Sequence, residues 1–118
     1  MENTYDNLGY VGEIQRKVNQ LDEQIKRLRK NGTDFAMARY NYEIKKSEET
    51  AMMRADGMAI SEVSLRVRGQ KGVASLRLKR DIAEVVYKAN QESINAIKLE
   101  IRILDNQLQR EYGANLND

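Results

Sequence analysis

From Gly72 to Tyr112 the chain runs for roughly 40 residues with neither a proline nor a further glycine, and its apolar residues recur every three or four positions. A span of that kind folds as one helix on the order of 60 Å long, at 1.5 Å per residue. Ile94, Ile97, Ile101, Leu104 and Leu108 form a strict seam, and Ala96, Leu99 and Ile103 add a second stripe beside it. The carboxy-terminal half of this helix therefore has to be covered from two sides. Gly113 is expected just past its end, with "ANLND" fraying.

Proline and cysteine are absent from all 118 residues, and charged residues make up 32%. The apolar set is mainly Ile, Leu, Val, Ala and Met, the usage of long amphipathic helices. The expected fold is all-α: one domain, built as an elongated helical bundle or coiled coil of two medium helices and the long third one. A first helix is predicted over about 10–30, where Val11, Ile14, Val18, Leu21, Ile25 and Leu28 make a heptad seam. Asn31-Gly32 is expected to close it, and a second helix then spans about 34–55. In that second helix Met37, Tyr40, Ile44, Ala51 and Ala55 fall near one face, with Phe35, Tyr42 and Met52 off it. Tyr40 and Tyr42 cannot share a face, so one packs and the other is exposed. Residues 58–70 are expected as a short helix or turn, capped by Ser61. The alternation of Val63, Leu65 and Val67 leaves an intermolecular strand over 60–68 as the alternative. Two seams in so short a chain imply a homo-oligomer.

The amino terminus has neither a basic nor an apolar leader pattern, and no long apolar run occurs, so a cytoplasmic protein without a membrane span is expected. Histidine and cysteine are both missing. The usual general base, the usual nucleophile and the commonest transition-metal ligands are therefore missing with them. The acidic pairs Asp22-Glu23 and Glu48-Glu49 are adjacent in sequence and diverge on a helix surface. "RGQKGVAS" has neither the spacing of a Walker loop nor that of a dinucleotide fingerprint. No enzyme, no metal and no cofactor are expected.

What remains is "RVRGQKGVASLRLKR", residues 66–80. The net charge is +2, yet Val63 to Arg80 holds six basic residues and no acid, leaving 14 basic and 18 acidic residues elsewhere. Arg66, Arg68, Lys71, Arg77, Lys79 and Arg80 are the candidate binding residues. Basic side chains at a helix amino terminus oppose the macrodipole unless an anion is present, and a glycine-containing turn there can offer N–H groups to phosphate. The competing reading pairs Arg77 with Asp81, Arg80 with Glu84 and Glu62 with Arg66, and makes the Gly69–Gly72 stretch a plain connection. No aromatic residue lies among the basic ones, so nucleic-acid binding here would be electrostatic and tolerant of sequence.

With "YKANQESINAIKLEIRILDNQLQREYG" the chain resembles the small, proline-free, helical accessory proteins of tailed bacteriophages, often of Gram-positive hosts. The likeness is one of pattern over most of the chain and carries over no residue roles. It implies a replication or recombination accessory, or an inhibitor of a host defence protein or nuclease, acting in the host cytoplasm. Three functions are thus in view: binding of nucleic acid or another phosphate-bearing ligand through residues 66–80, binding of a host protein, and structural assembly.

Overall fold

The computed structural model describes the backbone of residues 2–117 and the side chains of residues 9–113. It is all-α, with no strand among the described residues. Helix α1 spans Glu2–Ala55, α2 spans Ile60–Arg66 and continues into a 3-10 turn at Val67–Gly69, and α3 spans Lys71–Asn117. The chain divides into two compact units, one formed by residues up to Leu28 with those from Ala89 on, the other by Arg29–Lys88.

The break expected at Asn31-Gly32 is absent, and one helix replaces the two medium ones. Glycine inside a helix costs about 1 kcal/mol relative to alanine, so it needs a reason. At Gly32 a Cβ would stand 3.1 Å from Cε1 of Tyr87. The missing side chain is the space into which that ring packs, and Phe35, one turn on, meets the same ring at a centroid distance of 6.1 Å. α1 ends instead at Gly57, whose φ of +92° is the left-handed conformation that glycine adopts without penalty. The N–H of Gly57 donates to Arg54 O and that of Met58 to Met53 O, the paired bonds of a Schellman termination. α3 likewise runs through Gly113 rather than stopping there. The fraying expected at the chain ends falls in part on Met1 and Asp118, which lie outside the described residues.

In the unit that holds both chain ends, α1 and α3 run antiparallel. Ile94 and Ile97 are buried, and Ile14, Val18, Leu21, Leu28, Ile101, Leu104 and Leu108 are half-buried. Val11 and Ile25, the remaining members of the predicted first seam, are exposed. The reason is that polar residues share the inward stripe of α1. Asn90, buried on α3, donates to Gln24 O at 2.9 Å and to Gln24 Oε1 at 3.0 Å. A buried amide with defined partners sets the register of two helices more sharply than apolar contacts do. Lys17 adds an ion pair with Glu100 at 2.7 Å.

The second unit, Arg29–Lys88, is centred on Tyr42, Val67 and Val73, with Met53 and Leu76 against them and Val63 buried nearby. α2 is helical where the alternating pattern allowed a strand, and its period of 3–4 sets Val63 and Val67 on one inward face. It starts one residue before the expected Ser61 cap: Ala59 O accepts from the N–H groups of Glu62 and Val63. On α1 the inward residues are Phe35 and Tyr42, so the face predicted for Met37, Tyr40 and Ile44 is the outer one. Of the two tyrosines, Tyr42 packs and Tyr40 is exposed.

Val73 is completely buried, and Val73→Ala should lower stability by about 2 kcal/mol through lost burial and a residual cavity. Leu65 is 80% exposed, and Leu65→Ala should stay within about 0.5 kcal/mol. Equal losses for the two in urea unfolding would contradict this placement of the core.

Candidate functional site

The six basic residues predicted as a site do not gather into one. Arg66 pairs with Glu62 at 2.9 Å, as the helical spacing predicted. Arg77 does not reach Asp81; it donates through Nη1 to Arg68 O at 2.9 Å, tying α3 to the preceding 3-10 turn. Arg80 pairs with the adjacent Asp81 rather than with Glu84, which instead holds Lys88 at 2.7 Å. The Arg80 guanidinium also lies 4.4 Å from the centre of the Tyr42 ring. Its pKa is raised first by the hydrogen bonds it donates to the Asp81 carboxylate, against the opposing effect of burial. A cation on an aromatic face is attracted by the ring quadrupole, so Arg80 belongs to the packing of this unit.

The turn before α3 is closed by its own side chain. Gln70 Oε1 accepts from the N–H of Val73 and Gln70 O from that of Ala74, each at 2.8 Å. Gly69 and Gly72 both have ordinary negative φ, so the alternating left-handed geometry of an anion-binding nest is not formed. Gly72 has a different purpose: a Cβ there would lie 2.8 Å from Cε of Lys45, whose chain passes over the start of α3. Gly69 faces open space.

Arg68 enters a concave surface. It lines a groove of about 440 Å³ between the end of α1 and α2, with a floor of Ile60, Val63 and Val67. Lys46 and Arg54 from α1 stand at the same rim, Thr50 and Ser64 add hydroxyls, and no acid is among the lining residues. Lys46 and Arg54 were missed in sequence because they lie 22 and 14 positions before Arg68 and only the reversal of the chain at Gly57 joins them. Arg54 also donates to Met58 O at 2.8 Å, which holds its guanidinium at the mouth of the turn. Lys46 Nζ sits 5.8 Å over the Tyr42 ring. Lys71 is exposed at the first turn of α3, while Lys79 lines a separate shallow depression with Asn31, Asp34, Ile82, Ala83 and Val86.

Charge follows the division into units. Residues 29–88 carry 13 basic and 8 acidic residues, a net of +5, and the remaining residues carry 7 and 10, a net of −3. Among the described residues no cluster of carboxylates is arranged to hold a metal ion, and no helix is long and apolar enough to cross a membrane. Compared with protein-family models, curated proteins and solved structures, the chain matches none.

Gln70→Ala removes the acceptor of the Val73 N–H and should cost about 1 kcal/mol in unfolding free energy, the usual loss for a helix cap. An unchanged urea midpoint would mean that water serves this N–H equally well.

Proposed function

We propose that this chain is a non-enzymatic helical protein that binds nucleic acid through the groove between α1 and α2. The carrying observation is the rim itself: Lys46, Arg54 and Arg68 surround one opening that has no acidic lining residue. Three cations held around a concavity raise the local concentration of a polyanion and release its counterions on contact. Lys71, exposed on the same basic unit, extends this field. The floor is aliphatic, not aromatic, so it offers bases no stacking platform, and recognition rests on phosphate and tolerates sequence. Binding of this kind is among the roles implied by the likeness to phage accessory proteins.

A second reading has one feature in its favour. Ile60, at the floor of the groove, is 67% exposed. A cationic rim around an apolar floor also fits an acidic amphipathic segment of a host protein.

Fluorescence anisotropy with labelled single- and double-stranded oligonucleotides at two salt concentrations separates the two. Nucleic-acid binding should weaken steeply with salt, and Lys46→Glu with Arg68→Glu should reduce the slope of log K against log salt by about two, while helicity by circular dichroism is unchanged. Flat titrations with both oligonucleotides would overturn the nucleic-acid reading and leave the acidic protein segment.

A further inference from the structure

α3 carries a second heptad seam that its own chain leaves uncovered. Within residues 29–88, Leu78, Ile82 and Val85 are 60%, 55% and 68% exposed. Within the other unit, Ala96 is exposed, and Leu99 and Ile103 are 51% and 48% exposed. With Ala89 and Glu92 between them, all eight positions recur at strictly alternating spacings of four and three, and every one is exposed. The seam that faces α1 is a different set, which includes Val73, Leu76, Tyr87, Ile94 and Ile97. Single exposed apolar residues are ordinary, but a row in heptad register on a continuous helix is the pattern of a partner helix. The next positions in register, Ser75 and Asn106, are polar and bound the row at both ends.

We propose that this seam pairs with the same seam of a second copy, α3 against α3, antiparallel about a two-fold axis near residues 90–91. The occupant is identified by the pattern's match to its own reverse. In that arrangement Leu78 opposes Ile103 of the second copy, Ile82 opposes Leu99, Val85 opposes Ala96, and Ala89 opposes Glu92. The depression of about 280 Å³ beside Ile82 and Val86 then lies under the incoming leucine. The flanking charges agree with this. Antiparallel coiled coils bring like-lettered flanking positions together, which places Lys79 beside Glu100 and Asp81 beside Arg102 of the second copy. Both are pairs of opposite sign, and the two-fold axis makes each occur twice.

Two within-chain contacts bear on these pairs. Glu100 already holds Lys17 at 2.7 Å, and Arg80 occupies only Oδ1 of Asp81, leaving Oδ2 open. A parallel, in-register pair does worse on both counts. It would stack Glu92 on Glu92 in the core and set Asp81 against Val86 and Arg102 against Gln107, with no complementary flanking pair. Lys79, predicted as a phosphate ligand, is thereby assigned to self-association.

The chain has no cysteine, so single cysteines can be introduced cleanly. Sedimentation equilibrium of the full chain should give twice the 13.6 kDa chain mass. Arg102→Asp should weaken the dimer about tenfold, a difference of about 1.4 kcal/mol, and adding Asp81→Arg to that variant should restore it, since the pair is re-formed with its signs exchanged. In a parallel dimer positions 81 and 102 are on the order of 30 Å apart at 1.5 Å per residue, and no rescue occurs. Mixing Leu78→Cys with Ile103→Cys under mild oxidation should give the mixed disulfide in preference to either homodimer. A monomeric wild type, failure of the rescue, or preferential Leu78→Cys homodimers would each overturn the assignment.

Discussion

Two helices packed side by side bury one stripe of each, and this chain carries more apolar residues than one stripe holds. That constraint organises the rest. In the unit holding the chain ends, the inward stripe of α1 includes Lys17 and Gln24, while Val11 and Ile25 are left outside. In the other unit Phe35 and Tyr42 point inward and Met37, Tyr40 and Ile44 do not. α2 adds Val63 and Val67 to the second unit, and with them the small core around Val73. The surplus on α3 is ordered, in heptads, and that order is what makes it a seam instead of scattered surface.

The basic segment shows how local charge is redistributed by folding. Arg66, Arg77 and Arg80 are drawn into contacts with Glu62, a backbone carbonyl and the Tyr42 ring. Each is a modest interaction at a partly exposed site, worth tenths of a kcal/mol to about 1 kcal/mol. Their effect is geometric: Arg66 stays within α2, Arg77 ties α3 to the 3-10 turn, and Arg80 sets α3 against Tyr42 of α1. Arg68 is left at the groove, where it joins two cations from a distant part of the chain. A linear run of charge thus became separate structural contacts and one surface rim with different membership.

The glycines were where sequence reasoning was most exposed to error. Gly32 and Gly57 both follow helical stretches, and both satisfy the rule that a helix ends before a glycine. Only Gly57 takes the left-handed conformation. Gly32 stays helical because Tyr87, 55 residues further on, needs the room. No local pattern distinguishes a glycine that stops a helix from one that admits a ring. For the same reason two medium helices were expected where one long helix forms.

The sequence by itself determined the fold class, the long third helix and the existence of two stripes on α3. These follow from periodicity and from the absence of proline, which act over a few residues and survive any tertiary arrangement. The division of the tyrosines was legible as a rule, though not which of them would pack. Tertiary structure alone decided that Asn90 meets Gln24, that Lys46 and Arg54 join Arg68, and which stripe of α3 its own chain covers. Those choices depend on contacts between residues tens of positions apart. A helical period states which side chains share a face and is silent on which neighbour that face will meet.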